Sequence, residues 1–249
     1  MKARAGGAWG QEVWRTSLGH PSYVWTAGLE RRLQMVLRYV PLAGRRILDV
    51  GCGVGAFVRR LRLLSPYVWG VDVDAQRVRA GAQEVDGLAL AVGEHLPFKG
   101  EVFHVVLLHE VLEHVQDDAA TLRECWRVVV PGGHIVIFTP NRLYPFETHG
   151  VYLGRRYIFG NIPLVNYLPD GLRRHLVPHA RAYTARSLRR LWQGLSVQVV
   201  VHTQVFPGFD HAIARWGVVG RALRRLQSLE ATPLRILGLS HFVILKRTA

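Results

Sequence analysis

Short runs of apolar residues alternate with amphipathic stretches through the middle of the chain. Ile47 to Val50, Val68 to Val73, Leu88 to Val92, Val102 to Leu108 and His134 to Thr139 read as strands. Ala56 to Leu64, Ala75 to Gln83 and Asp117 to Val129 read as the helices between them, the last opening on Asp117 or Asp118. Strands that are apolar almost throughout are covered on both faces, and helix-length spacers return the chain in parallel. The pattern therefore predicts an α/β fold with a doubly wound, mostly parallel sheet. Ahead of it, Thr26 to Tyr39 predicts a helix stopped by Pro41. After Pro140 the periodicity weakens. Residues 141–182 are rich in Pro, Gly, Tyr, His and Arg, and are too long for a plain connection, which predicts an inserted lid after strand five. Thr184 to Trp192 resumes as a helix with Thr184 as N-cap. Val197 to His202 reads as a sixth strand, Ala212 to Leu229 as a helix despite Gly217 and Gly220, and His241 to Leu245 as a seventh, closing strand. The expected division is a helical lead-in or cap over 1–43, a ligand-binding core over 44–140, the lid over 141–182, and 183–249 completing the sheet.

Composition narrows the class. The chain has 249 residues, 49% hydrophobic and 20% charged, enough to bury a core. Two cysteines, Cys52 and Cys125, exclude a disulfide framework and an all-thiolate zinc site. No uncharged apolar run approaches the ~18–20 residues that span a bilayer, and Met1 to Trp14 lacks the apolar stretch of a secretory signal. A soluble, cytoplasmic protein is expected. Charge adds a direction. The net charge is +14, but residues 1–140 carry +2 and residues 141–249 carry +12. Such a half suits an anionic partner, whether nucleic acid, acidic lipid or a phosphorylated substrate, and it equally suits a solvated arginine-rich surface.

The strongest local signal is Leu48-Asp49-Val50-Gly51-Cys52-Gly53-Val54-Gly55, where the first strand meets its helix. Glycines there allow a tight bend and close approach to a ligand. Asp72, ending the second strand, can accept bonds from ribose hydroxyls. Gly51-x-Gly53-x-x-Ala56 also fits the dinucleotide fingerprint, a weak match by itself. In Glu110-x-x-Glu113-His114, helical spacing would place two carboxylates and an imidazole on one face, a weak candidate for a divalent ion. The bland alternative is that Glu113 and His114 organise the loop. Arg155, Arg156, Arg173 and Arg174, with Tyr157, Phe159 and Tyr167, could receive a lipid- or glycan-linked acceptor bearing phosphate. Arg221, Arg224 and Arg225, with Leu223 and Leu226, could rest on an anionic membrane or face water.

The run Leu48–Gly55 resembles the first motif of class I S-adenosylmethionine-dependent methyltransferases. Gly70-Val71-Asp72-Val73-Asp74, Glu94-His95-Leu96-Pro97-Phe98, Phe103-His104-Val105-Val106 with Glu110–His114, and Arg127–Gly133 resemble the later motifs in order. The likeness covers residues 44–140, and the sequence is most similar to the small-molecule group related to quinone-biosynthesis methyltransferases. It implies a seven-stranded sheet with the last strand antiparallel, and S-adenosyl-L-methionine as cofactor. Asp49 would sit near the cofactor's amino group, and Gly51, Cys52, Gly53 and Gly55 along its methionine part. Asp72 would hold the ribose, Val73 would pack on the adenine, and Val92, Gly93 and Glu94 would flank it. Valine at 92 stands where the family often has an acid. His109 would face the transferred methyl, as a general-base candidate or as packing. His149, His175 and His179 rank behind it. The expected acceptor is small or lipid/glycan-linked, with oxygen slightly favoured. RNA ribose methylation is the alternative, and a nicotinamide oxidoreductase or a non-catalytic binder ranks lower.

Overall fold

The structure, a computed structural model, describes residues 23–208 and 225–249. Its frame is a seven-stranded sheet of β1 (Ile47–Val50), β2 (Val68–Asp72), β3 (Leu88–Leu90), β4 (Phe103–His109), β5 (Val129–Pro140), β10 (Val197–Val205) and β11 (Ser240–Arg247). The strand order is β3-β2-β1-β4-β5-β11-β10. β1 pairs in parallel with β2 on one side and β4 on the other. The closing strand β11 runs antiparallel to both β5 and β10. The order reverses between β1 and β4, and a crevice at the carboxyl ends of the strands there is where open α/β sheets take ligands.

Each strand sends alternate residues to opposite faces. Leu48, Val50, Val106, Leu108, Ile135 and Ile137 join one buried cluster, with Leu122 and Val128 of α4 (Asp118–Val128) and Leu188 of α6 (Ala185–Arg190). Ile47, Val105, Leu107, Val136 and Phe138 join the other, against α1 (Tyr23–Leu37) and α2 (Ala56–Arg62). The short helix α3 (Ala75–Gly81) links β2 and β3, its first turn capped by Asp74. Both faces are dry, so the strands had no reason to alternate in the sequence.

Several boundaries differ from expectation. β5 absorbs Pro131-Gly132-Gly133. The sequence reads Pro131-Gly132-Gly133 as a turn ahead of the strand, but the register on β4 jumps from Phe103↔Val129 to Val105↔His134, so the turn survives as an irregularity inside the strand, with Gly132 at φ +78°. Thr184 caps α6 as expected, in a reciprocal box with Ser187. Residues 209–224 of the expected helix Ala212–Leu229 lie outside the described residues, and its described end, Arg225–Ala231, is a 3-10 helix. The lid is more regular than its sequence suggests. β6 (Phe146–Glu147) pairs with β9 (Ile162–Pro163), β7 (Val151–Leu153) pairs with β8 (Arg156–Ile158), and α5 (Asp170–Leu176) follows. Val151, Val165, Val177 and Ala180 give it a small core of its own. Among the described residues no helix is long and apolar enough to cross a membrane.

Candidate functional site

The site begins at the bend that closes β1. Gly51, Gly53 and Gly55 all hold left-handed φ, between +57° and +75°, which side chains resist. Gly51 N–H and Cys52 N–H donate to Val71 O at 2.7 and 3.0 Å, tying the bend to β2. A Cβ on Gly51 would collide with Val111 Cγ2, so the bend also touches the loop after β4. Asp72 is locked in place: Oδ2 accepts from Gly53 N–H at 2.8 Å and Oδ1 from Asp74 N–H at 2.9 Å. Asp49 is buried two residues before the bend. Burial, then the neighbouring Asp72 charge, pushes its carboxyl up to about 8. The thiol of Cys52 is raised by burial first and by the same two carboxylates, which leaves it unreactive.

Beside Asp72 the surface turns apolar. Val73 is 70% exposed, Leu90 58% and Val92 40%. Gly93 packs on α4, where a Cβ would stand 3.0 Å from Thr121 Cγ2. Glu94 Oε1 accepts from Gln116 N–H at 2.8 Å and Asp117 N–H at 3.1 Å, so its carboxylate fastens this loop to the start of α4.

His109 ends β4. Its ring stacks on Phe138 at 4.7 Å and meets the edge of Phe57 at 4.7 Å. Both ring nitrogens are buried without a partner among the described residues. Burial, then the Arg32 charge, pushes its pKa down to about 3, so it is neutral at pH 7 and a weak proton acceptor. Glu110 follows in a left-handed conformation, φ +52°. Its Oε1 accepts from Arg32 Nη2 at 2.5 Å and Ser240 Oγ at 2.9 Å. Burial alone would raise this carboxyl, but the Arg32 charge, then hydrogen bonds from Glu113, Ser240 and Arg32, outweigh it and hold it near 2. Arg32 and Ser240 gave no signal in the sequence. They come from α1 and β11 and meet the site only through the fold.

Glu113 is buried. Its Oε2 accepts from Thr139 Oγ1 at 3.0 Å. Burial, then the Glu110 charge, raises its pKa well above the usual range. The side chains gathered closely around it are not the expected trio. Glu110 is engaged by Arg32, and it is Glu113, His114 and His149 whose ligand atoms lie within 4.8 Å of one another. His149 arrives from the lid. A cavity of about 680 Å³ opens beside this group, lined among others by Glu113, His114, His179, Arg142, Arg174 and Tyr183.

The lid's arginines divide into two sets. Arg173, 2% exposed, pairs with Glu147 at 2.5 Å and donates to Asn166 Oδ1 and Ala180 O. Arg142 binds Asp170 and Leu168 O. Arg181, near the end of the lid, donates to Val115 O and Gln116 O and so holds the loop after β4. Arg155, Arg156, Arg174 and His175 are exposed, as are Tyr157, Phe159 and Tyr167. Arg221, Leu223 and Arg224 fall outside the described residues; Arg225 and Leu226 are exposed.

Comparison with known proteins gives this geometry a context. The family described as methyltransferase domain matches residues 48–137. A ubiquinone biosynthesis O-methyltransferase of Aromatoleum aromaticum is 32% identical over 139 residues, 53% of this chain and 59% of that protein. One of Pseudomonas putida is 33% identical over 144 residues, 53% of this chain and 60% of that protein. The chain thus spans about three-fifths of these curated relatives' length. Among solved structures, an S-adenosylmethionine-dependent methyltransferase of Mesorhizobium loti superposes with TM-score 0.60 at 22% identity, covering 86% of this chain and 96% of that one. The [4+2]-cyclase SpnF superposes with TM-score 0.59 at 17% identity, covering 90% and 82%.

Proposed function

We propose that this chain is a class I methyltransferase that transfers a methyl group from S-adenosylmethionine to a small-molecule acceptor, on oxygen by preference; the fold, the methyltransferase-domain match over residues 48–137 and the O-methyltransferase relatives support this reading. One observation carries the reading. Burial and the Asp72 charge both act on Asp49, and no cation of the described residues offsets them. A ligand ammonium would. The cofactor fits the remaining features as well. The locked Asp72 keeps outward lone pairs for ribose hydroxyls, and exposed Val73 and Val92 offer an apolar slot for a purine. With valine at 92 and Glu94 engaged on α4, the backbone at Val92–Gly93 is left to meet the purine edge.

When bound, the cofactor supplies a methyl group already activated on a sulfonium. The chain's task is then alignment and exclusion of water. His109, Phe57 and Phe138 form an aromatic wall at the end of β4 that can do both. We read His109 as part of that wall. The acceptor enters through the cavity under the lid. The O-methyltransferase relatives support oxygen as the atom methylated. Exposed Arg155, Arg156 and Arg174 support an acceptor that carries an anionic, lipid- or glycan-linked group. Two buried, free cysteines suit a reducing compartment, which supports the cytoplasm as its setting.

Calorimetric titration with S-adenosylmethionine and its demethylated product tests the cofactor. A folded protein that takes up neither ends the proposal. Because one fold hosts many chemistries, the second test is a methylated product, not binding alone. The +12 half favours one further reading, ribose methylation of RNA. Methyl incorporation into RNA, with affinity falling steeply as salt rises, would replace the small acceptor.

A further inference from the structure

The end of the sheet opposite the candidate cofactor crevice carries a second, smaller pocket. It has a volume of about 160 Å³ and is lined by Arg45, His104 and His134, with Pro41, Val130 and Gly132 around them. Arg45 lies just ahead of β1, His104 is the second residue of β4, and His134 pairs with Val105 of β4 immediately after the Pro-Gly-Gly irregularity. We propose that Arg45, His104 and His134 bind one tetrahedral oxyanion of the phosphate class, either free or as the phosphomonoester end of a small molecule.

Three side chains meet there without acceptors. Arg46 N–H donates to His104 Nδ1 at 3.1 Å, so the proton of the neutral ring sits on Nε2, and that N–H has no acceptor among the described residues. Arg45 is bonded through its backbone: its N–H donates to Leu42 O and its carbonyl accepts from Ser65 Oγ. Neither its guanidinium nor the His134 ring has a hydrogen bond or ion pair among the described residues. Arg32, Arg173 and Arg247, by contrast, each hold a carboxylate.

The charge at the pocket is uncompensated as well. His104 is held below its ordinary pKa by burial, then by Arg46 and Arg45; His134 is held down by burial, then by Lys246 and Arg45. Arg45 thus acts on both rings, and no carboxylate opposes these cations at either one. The lining holds no acidic side chain. An anion between the three would reverse this repulsion and take the free donors in charge-assisted bonds. Shape and size select among anions. A planar carboxylate offers two oxygens, whereas a phosphate offers three to three separate donors. The volume suits one phosphate group and falls below the ~300 Å³ at which pockets enclose a drug-sized ligand.

The proposal does not rest on the methyl-transfer reading, and its test omits the cofactor. The full chain is titrated by calorimetry at pH 7 and fixed chloride, once with inorganic phosphate and once with glycerol phosphate. One saturable phosphate per chain is expected. Affinity for inorganic phosphate at least equal to that for glycerol phosphate assigns the pocket to the free ion; the reverse order assigns it to a small phosphomonoester. R45A should weaken uptake by at least ~10-fold, the worth of one charge-assisted hydrogen bond, and H104Q and H134Q by about threefold or more. R79A, altering an exposed arginine of α3, should change nothing. Nitrogen-15 spectra of the imidazoles should show phosphate raising the pKa of His104 and His134 and leaving exposed His175 unmoved. Far-UV circular dichroism confirms folding of each variant, and R45Q stands in for any that fails it. The proposal is overturned if the folded wild-type chain shows no saturable uptake. It is equally overturned if R45A and R79A weaken uptake alike, as diffuse attraction to a chain of net charge +14 would. Displacement of phosphate by a short RNA oligonucleotide at lower concentration than by glycerol phosphate would assign the pocket to nucleic acid and also overturn it.

Discussion

Asp49 carries the clearest charge conflict at the site. Its folded pKa near 8 lies above the ordinary 3.8, so between these values the folded state holds a proton that the unfolded chain has released. Stability of the ligand-free protein therefore falls as pH rises through that window. A ligand ammonium reverses the preference by favouring the carboxylate. Binding should release close to one proton near pH 7 and tighten from pH 6 to 8. Calorimetry in two buffers of different ionisation enthalpy reads this directly, and D49N should abolish the proton release while flattening the stability profile. His109 separates packing from proton transfer. Phenylalanine keeps the stack on Phe138, so H109F should retain kcat within about tenfold; a loss of 10²–10⁴ would identify a general base. Asp49, Asp72 and the glycines were legible because a bend after a buried strand leaves its own signature in consecutive letters. Arg32 was not, and His149 was singled out only as a second-rank candidate base and not as a neighbour of Glu113, since neither has any local pattern that points to its partner.

The lid shows the same limit at the level of elements. Its strands are two or three residues long, too short for any period to declare itself. What holds it is a non-local ion pair. Arg173 and Glu147 are each 2% exposed at the side chain and satisfied by Asn166, Ala180 and His149. Removing one partner of such a pair costs about 3–5 kcal/mol because the other charge is left buried. R173A should therefore open the lid alone. Hydrogen exchange is expected to accelerate across residues 146–180 while β1, β4 and β5 keep their protection; uniform acceleration would mean that the lid is not an independent unit. By contrast, the sheet was readable almost to the residue at β1 and β2, where continuous apolar runs end at glycine or aspartate. It was misread at β5, where the Pro-Gly-Gly turn sits inside a strand that continues past it.

For the molecule as a whole, α1 acts as a clasp over the sheet. Leu33 and Val36 bury against the second core, Arg31 reaches Glu230, and Arg32 reaches Glu110, Ser240 and the face of Phe138. Much of the arginine excess is spent in this way, as donors that bind distant segments together: Arg247, for example, lies over Trp126 and donates to Val129 O and Glu101. Net charge therefore overstates the free positive surface. The clasp has a pH signature. In the wild type Glu110 is held near 2, below its ordinary 4.5, so its contribution is full above 4.5 and is lost as pH falls toward 2. In R32M the same carboxyl keeps its burial and loses its cation, while facing Ser240, neutral His109 and Glu113. Its pKa should then rise above 4.5. Between 4.5 and that new value the folded variant binds more protons than the unfolded chain, so it gains stability on acidification where the wild type does not. The pair is 16% and 20% exposed at the side chains, which places the loss at pH 7 near the lower end of the ~3–5 kcal/mol expected for a broken buried pair. Urea midpoints at pH 7 and pH 5 measure it, and E110Q in the R32M background should restore most of the stability at pH 7. An R32M deficit equal at both pH values would show that Arg32 holds the helix by packing on Phe138 and not by charge.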